Sequence, residues 1–426
     1  MSDKKVWIMN HYSIGSYFSK GGRHYWFASN LMKNGYKPTI FCSNIRHIDR
    51  STILIPKGKY TIGEVDGIPY VFVKTVPYNG NGLQRLKNMF VFYKNLLPVA
   101  LQYSNKYGKP DIILASSVHP LTLVAGIKIA KKFNVPCICE VRDLWPESIF
   151  AFDKAKEKSI IGKILIAGEH WIYKNADALI FTKEGDTDYI KEKKWDTKQG
   201  GNINLDKAYY INNGVDIEAF NNSIYTNVID DIDLETEKFN VVYVGAIRPV
   251  NNVGNILDAA KLLKDNKDIQ FLIYGDGNQK EMLEKRIADE GLTNVKMKGF
   301  VNKQYIPYIL SKSSVNILNY SNTQYNWSRG NSSNKLFEYM ASGKPIISTV
   351  KMGYSIIEKY KCGIELEDSS PQDLVEAILK VKNMSKEENQ KIGYNAKNGA
   401  LDFDFNVLTD KLINVINIVM EGNKND

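Results

Sequence analysis

Short apolar runs alternate along the chain with longer stretches in which apolar residues recur every third or fourth position. The first unit holds an apolar run at 4–10, a loop with glycine and serine at 11–22, a helical stretch at 23–34 closed by Gly35, and a second apolar run at 38–43. Runs this short, bounded by loop residues and followed by helical periodicity, predict buried parallel strands joined by helices. The pattern continues with strands at 111–116, 135–141 and 178–182 and with helices at 120–132 and 160–175. Residues 44–84 read as a loop with short strands around 70–74.

The alternation then stops and restarts. Residues 209–216 read as a strand and a turn, followed by a polar stretch rich in Asn, Asp and Glu up to Lys238. Beyond it, strands at 240–244, 270–274, 295–299 and 315–319 alternate with helices at 253–264, 279–290 and 305–311. This predicts an α/β protein with two doubly wound parallel sheets. The N-terminal Rossmann-like domain spans 1–216, a second spans 217–402, and a closing helical segment spans 403–426. A length of 426 residues fits two or three domains.

Composition adds constraints. With 43% hydrophobic and 24% charged residues, ordinary globular cores can form. Cys42, Cys137, Cys139 and Cys362 show no metal spacing; Cys137 and Cys139 alternate within one strand and so share a face. A reduced cytosolic setting fits. The apolar run after Lys4 and Lys5 is too short for a signal-peptide core, and no run approaches the roughly eighteen residues that span a bilayer. A soluble cytoplasmic or peripheral protein is expected.

Charge is divided unevenly. Residues 1–215 carry 31 Lys and Arg against 18 Asp and Glu, while the remainder carries 25 against 29. The basic half either faces something anionic, such as lipid or a pyrophosphate-linked acceptor, or is a solubilising surface. No nucleic-acid-binding module is recognisable, so nucleic acid is not an expected partner. The stretch 83–103 is aromatic and basic, with Arg85, Lys87, Phe90, Phe92 and Lys94. It either lies on an anionic membrane or packs as an amphipathic helix on its own domain.

The segment 331–348 carries the clearest punctuation. Ser332 or Ser333 can cap a helix, 335–341 holds good helix formers, and Gly343 and Pro345 end it before a strand at 346–347. A helix N-terminus offers unpaired N–H groups that suit a phosphate. Lys335 in the first turn opposes the helix dipole, a conflict that an anionic ligand would remove. Glu338 follows on the same face, where its carboxylate can take a ribose diol or form an ion pair with Lys335. Gly21 and Gly22 before the first helix permit close approach of a phosphate, or form a simple turn. Asp143 stands at a strand end, placed to meet an acceptor hydroxyl, to pair with Arg142 or to cap a helix.

The ordered strings Asp143-Leu144-Trp145-Pro146-Glu147, Asn213-Gly214-Val215-Asp216 and Asn334-Lys335-Leu336-Phe337-Glu338-Tyr339-Met340 resemble retaining family 4 glycosyltransferases of the GT-B fold. The likeness is to the bacterial subgroup that builds O-antigen, capsule and similar surface polysaccharides. It implies two Rossmann-like domains facing across a cleft and a sugar moved from a nucleotide-sugar to a lipid-linked or carbohydrate acceptor, a UDP-sugar being the expected donor. Catalytic candidates by this resemblance are His119, beside the donor sugar, and Arg248 and Lys335, on the leaving diphosphate. Substrate-binding candidates are Gly21, Gly22, Asp143, Asn252, Gly330, Asn331, Ser332, Leu336 and Glu338, the last on the ribose. Arg248 has a structural alternative in an ion pair with Asp258. Two positions depart from the family pattern: Gly330 stands where it has a second glutamate, and Asn251-Asn252 where it has Lys-Gly. No nucleophile, cofactor or metal is expected, and contact with the inner face of the plasma membrane is. Two rivals remain, a sugar-nucleotide epimerase of the same fold and a non-catalytic nucleotide-sugar-binding subunit.

Overall fold

The computed structural model describes residues 4–47, 51–80, 82–150, 154–322 and 327–422. They form two compact units, Met1–Asn212 with Phe405–Asp426, and Asn213–Asp404.

The first unit is built on eight strands: β1 (Lys5–Met9), β2 (Lys37–Ser43), β3 (Tyr60–Val65), β4 (Ile68–Val73), β5 (Ile112–Ser116), β6 (Cys137–Val141), β7 (Ala178–Phe181) and β8 (Ala208–Tyr210). Their order is β3-β4-β2-β1-β5-β6-β7-β8. Every neighbouring pair is parallel except β3 with β4. The central strands are apolar throughout because helices cover both faces. On one face, Leu83–Tyr107, Pro120–Phe133 and Ile160–Asn175 close over Trp7, Phe41, Ile113, Cys137 and Cys139. On the other, Arg23–Lys33 and Phe405–Gly422 bury Ile8, Phe27, Ile40 and Leu412.

Two expectations change here. The span 44–84 contains a hairpin, not a loop with isolated strands. Asp66 and Gly67 join β3 to β4 with φ of 49° and 77°, the left-handed pair that a tight hairpin turn requires. In the aromatic-basic helix Leu83–Tyr107, Phe92 is fully buried, whereas Leu83, Leu86 and Phe90 are exposed. Phe92 is therefore a core residue and does not belong to any surface stripe.

The second unit has six parallel strands: β9 (Phe239–Val244), β10 (Ile269–Tyr274), β11 (Val295–Gly299), β12 (Val315–Leu318), β13 (Ile346–Ser348) and β14 (Gly363–Glu365). Their order is β11-β10-β9-β12-β13-β14. Helices Val253–Leu262 and Pro371–Lys382 cover one face, with Ile256, Leu257, Phe271 and Ile378 between. Helices Ile306–Ser311, Asn334–Ser342 and Lys386–Leu401 cover the other. Helix Lys386–Leu401 opens on a Ser385–Glu388 capping box, a signature that the sequence itself carries.

Strand order reverses between β1 and β5 in the first unit and between β9 and β12 in the second. In open parallel sheets these switch points, outside the carboxyl ends of the strands, are where ligands bind. Among the described residues no helix is long and apolar enough to cross a membrane.

Candidate functional site

In the first unit, His11 follows β1 and His119 follows β5, which places both at the switch point. His11 Nδ1 and His119 Nε2 lie 2.7 Å apart. The His11 ring is stacked between Tyr12 and Phe92, with centroids at 4.5 Å from each. Burial is the main reason both imidazoles stay neutral. His119 is pushed down to about 3, with the Arg85 guanidinium adding to the effect, and His11 lies well below its ordinary value. Arg85 donates to the Tyr12 hydroxyl at 3.0 Å.

A second buried network lies at the same strand ends. Glu140 on β6 accepts from Arg23 Nε and from the Ser116 hydroxyl, both at 2.7 Å, and faces His24 at 3.3 Å. Burial alone would raise the Glu140 carboxyl, but Arg23 and His24 outweigh it and hold it below the usual carboxylate range. Arg23 also donates to the carbonyls of Ile211 and Asn212, tying helix Arg23–Lys33 to the chain that leaves β8. Gly22 caps this helix with φ +91°, a conformation that requires glycine. Gly21 precedes it, half-buried.

Asp143 lies just beyond β6. The preceding residue is fixed on two sides: Arg142 N–H donates to the Ser117 hydroxyl at 3.0 Å, and its carbonyl accepts from Thr182 at 2.9 Å. Asp143, Ser117 and Trp145 line part of a cavity of about 140 Å3.

In the second unit the switch point is organised around Lys335. It is the second residue of helix Asn334–Ser342, which Tyr339 clamps to β9 by hydrogen bonds to the N–H and carbonyl of Val244. The Lys335 ammonium lies 4.9 Å from the Tyr243 ring centroid and 4.7 Å from that of Tyr320. It donates to the Tyr243 hydroxyl at 3.4 Å. The Asn251 amide, oriented to satisfy both its ends, donates to the Ala246 carbonyl (2.9 Å) and accepts from Lys335 Nζ (3.2 Å). A Cβ on Gly245 would meet the Lys335 chain at 2.9 Å, so only glycine lets that chain lie against the loop. Among the described residues no carboxylate is within ion-pair distance of Lys335, and burial pushes its ammonium down to about 7. The 245–252 loop is held from below by Asn319, which donates to the carbonyls of Asn251 (2.7 Å) and Asn252 (2.6 Å). Asn252 has φ 45° and caps helix Val253–Leu262.

The remaining candidates of this unit divide. Arg248 is exposed and makes no hydrogen bond or ion pair among the described residues; Asp258, its alternative partner, is held by Arg286. Glu338 does not pair with Lys335 but with Lys303, at 3.3 Å. Asn331 accepts from Ser333 N–H at 2.7 Å, and the Ser332 carbonyl accepts from Asn213 at 2.6 Å. Ser333 is the cap position of the helix but makes no side-chain capping bond. Gly330 is buried with φ +96°, so a glutamate there would be strained whatever the space. Leu336 requires correction: its side chain is in the core, and its N–H donates to the Ser333 carbonyl at 3.1 Å, so neither is available to a ligand.

The structure thus gathers His119 with His11 in one unit, and Lys335 with Asn251 and Asn252 in the other. Sequence reasoning missed His11, Tyr243, Tyr320, Asn251 and Asn319. All but Tyr243 and Asn251 lie within two residues of a strand's end at a switch point, which is the signal that could have found them. Among the described residues no three His, Cys, Asp or Glu side chains are grouped to hold a metal ion.

Comparison with known proteins agrees with the fold. Two Rossmann-like domains of this kind define the GT-B fold. Residues 226–399 match the family described as glycosyl transferases group 1. Among curated proteins, the alpha-D-kanosaminyltransferase of Streptomyces kanamyceticus is 36% identical over 80 residues, 18% of this chain and 21% of that protein. The putative teichuronic acid biosynthesis glycosyltransferase TuaH of Bacillus subtilis is 26% identical over 236 residues, 54% of each. The chain thus spans between a fifth and about half the length of these curated relatives. Among solved structures, a sucrose-phosphate synthase from Thermosynechococcus elongatus superposes with a TM-score of 0.72 at 14% identity, covering 98% of this chain and all of that one. HepE of Anabaena, in complex with UDP-glucose, gives 0.65 at 14% identity, covering 97% and 99%.

Proposed function

We propose that this protein is a retaining glycosyltransferase that moves a sugar from a UDP-sugar to a lipid-linked acceptor during assembly of a bacterial surface polysaccharide. The observation that carries the reading is Lys335: a half-buried cation without a carboxylate partner, at the start of a helix and at a switch point. Such a position favours a diphosphate, which would restore the lysine's charge and meet the helix N-terminus. Arg248, exposed on the neighbouring loop, adds a second cation as the diphosphate departs. Glu338 takes the ribose, releasing Lys303. His119 stays a neutral imidazole and so contacts the sugar as a hydrogen-bonding group, not as a cation. No metal ion is needed, because the two cations and the helix N-terminus stabilise the leaving group. The UDP-glucose bound by HepE supports the choice of donor, and the naming of TuaH supports a surface polymer as product. The first unit, with its basic excess, receives the acceptor.

The test is a panel of UDP-sugars assayed for slow hydrolysis and transfer, with Glu338→Ala alongside. One sugar should be released as free hexose, and the variant should bind it about tenfold more weakly or worse, the loss expected for charge-assisted hydrogen bonds. Conversion of a donor to an isomeric UDP-sugar would establish an epimerase instead. Binding without any turnover would establish a non-catalytic subunit.

A further inference from the structure

We propose that the first unit docks on an anionic membrane through the starts of two of its helices, Leu83–Tyr107 and Ile160–Asn175. The partner is the headgroup region of a bilayer that carries negatively charged lipid. The proposal deepens the glycosyltransferase reading and rests on it in one respect, that a lipid-linked acceptor is met at such a surface.

The path of the chain puts both helix starts at one edge. Helices Leu83–Tyr107, Pro120–Phe133 and Ile160–Asn175 lead into the parallel strands β5, β6 and β7 and cover the same face of the sheet. Each therefore runs from the carboxyl edge of the sheet back to its amino edge. The middle helix packs against both of the others, so the outer two axes stand roughly 20 Å apart. The longest helix overshoots. Its last residue, Tyr107, accepts from Lys5 Nζ at the start of β1, and Asn95 donates to the carbonyl of Lys74, just after β4, at 2.8 Å. The turns before Asn95 project past the strand ends, with Leu83 about 18 Å further along the axis.

What projects is apolar. Leu83, Leu86 and Phe90 recur at the spacing of one helical face, while Phe92 and Leu96 on the inner side hold the helix to its own core. Ile160, Ile161 and Ile164 share a face at the start of the other helix. All six side chains are half exposed or more, Leu83 at 83% and Ile160 at 79%. Single exposed apolar residues are ordinary, but two sets of three at one edge of one helical layer mark a contact surface.

The charge around these residues selects the partner. Lys87 and Lys94 continue the face of Leu83 and Phe90, and Lys158 and Lys163 flank Ile160 and Ile161. All four lysines are exposed, and none is in an ion pair among the described residues. Helix Leu83–Tyr107 contains no Asp or Glu. The one acid of helix Ile160–Asn175, Glu169, is buried, and Glu157 just before that helix is taken by Lys193 at 2.6 Å. A protein interface is depleted of lysine at its core, and a second copy of this face would bring like charges together. A bilayer surface suits both features. The apolar tips enter the acyl boundary, the lysine stems lie along it, and the ammonium groups meet lipid phosphates. Such attachment is reversible and screened by salt.

Co-sedimentation of the full chain with vesicles tests this, comparing phosphatidylcholine alone with phosphatidylcholine that contains phosphatidylglycerol, across a salt series. The wild type should bind the anionic vesicles at least about tenfold more tightly than the neutral ones, and salt should remove the difference. Phe90→Ser combined with Ile161→Ser should weaken binding to anionic vesicles about tenfold or more, and so should Lys87→Gln combined with Lys94→Gln. All four side chains are exposed, so both double variants should melt with the wild type. Ile418→Ser changes an exposed apolar residue on the helix that covers the other face of the sheet, and should leave vesicle binding as it was. Equal partition to the two kinds of vesicle overturns the proposal, as does binding that neither double variant weakens or that Ile418→Ser weakens as much. Dimers formed without vesicles and dissolved by the apolar double variant would assign the face to a second copy, and overturn it too. UDP binding on the same samples separates this claim from the donor reading. UDP bound without vesicle binding sinks the docking surface alone, and vesicle binding without UDP sinks the donor reading alone.

Discussion

His11 and His119 are 108 positions apart in sequence, yet their imidazole nitrogens meet at 2.7 Å across the β1–β5 switch point. The contact needs both rings neutral, because a proton on each would place two cations in a buried pocket beside Arg85. Burial enforces that state, and the Tyr12–Phe92 sandwich fixes the plane of the His11 ring.

His11→Phe should keep the stack and remove the bond. The buried His119 nitrogen is then left without its partner, at a cost of about 1–3 kcal/mol. Urea denaturation reads the loss directly. If His119 is oriented by His11 for contact with the donor sugar, the transfer rate should fall as well. Unchanged stability and rate would show that the pair positions nothing.

The Arg23–Glu140 pair is buried on both sides, so removing one partner strands the other. Arg23→Met should cost roughly 3–5 kcal/mol. The pH dependence has a definite sign. Glu140 is held below the ordinary carboxylate range, so its contribution is present above the unfolded value near 4.3 and is lost as pH falls through the folded value. Thermal melts from pH 7 downward should therefore show a steeper acid loss for the wild type than for the variant. Parallel curves would contradict the pairing.

Glu169 shows the opposite behaviour. It accepts from the Tyr173 and Tyr189 hydroxyls at 2.7 Å each, yet burial raises it to about 7. The folded protein keeps this proton over a window, from about 4.3 to 7, in which the unfolded chain has lost it. Stability should fall as pH rises across that window, by up to roughly 3 kcal/mol. Glu169→Gln removes the titration, so its melting temperature should gain on the wild type between pH 5 and pH 8. A constant difference would mean that Glu169 ionises normally.

The parallel-strand frame was legible because buried strands leave apolar runs between helical stretches, and the turn at 66–67 was legible in principle from Asp-Gly. The chemistry was less so. Lys335 and Glu338 read as a helical pair, but the structure turns Lys335 inward over Tyr243 and Tyr320 and gives Glu338 to Lys303. Those partners lie 15 to 92 positions away, beyond any local pattern. Leu336 had to be buried once Phe337 and Met340 faced the core, since they share one side of a short helix. His11 was invisible because a histidine in a loop becomes informative only when the strand order places that loop at a switch point.

Arg248→Ala should lower turnover more than donor affinity, because its charge matters most when the diphosphate departs. Its exposure predicts little effect on stability, within about 0.5 kcal/mol. Steady-state rates within about threefold of wild type would remove Arg248 from the catalytic set.

The central claim is that Lys335 binds a diphosphate, and calorimetric titration of UDP in buffers of different ionisation enthalpy tests it most directly. The free ammonium lies at about 7, and a bound diphosphate must raise it. UDP should therefore bind with net proton uptake above neutral pH, and its affinity should fall as pH rises from 7 to 9. Lys335→Met should abolish the uptake and weaken UDP by about tenfold or more. UDP binding with no proton uptake, or equal affinity in Lys335→Met, would contradict the account.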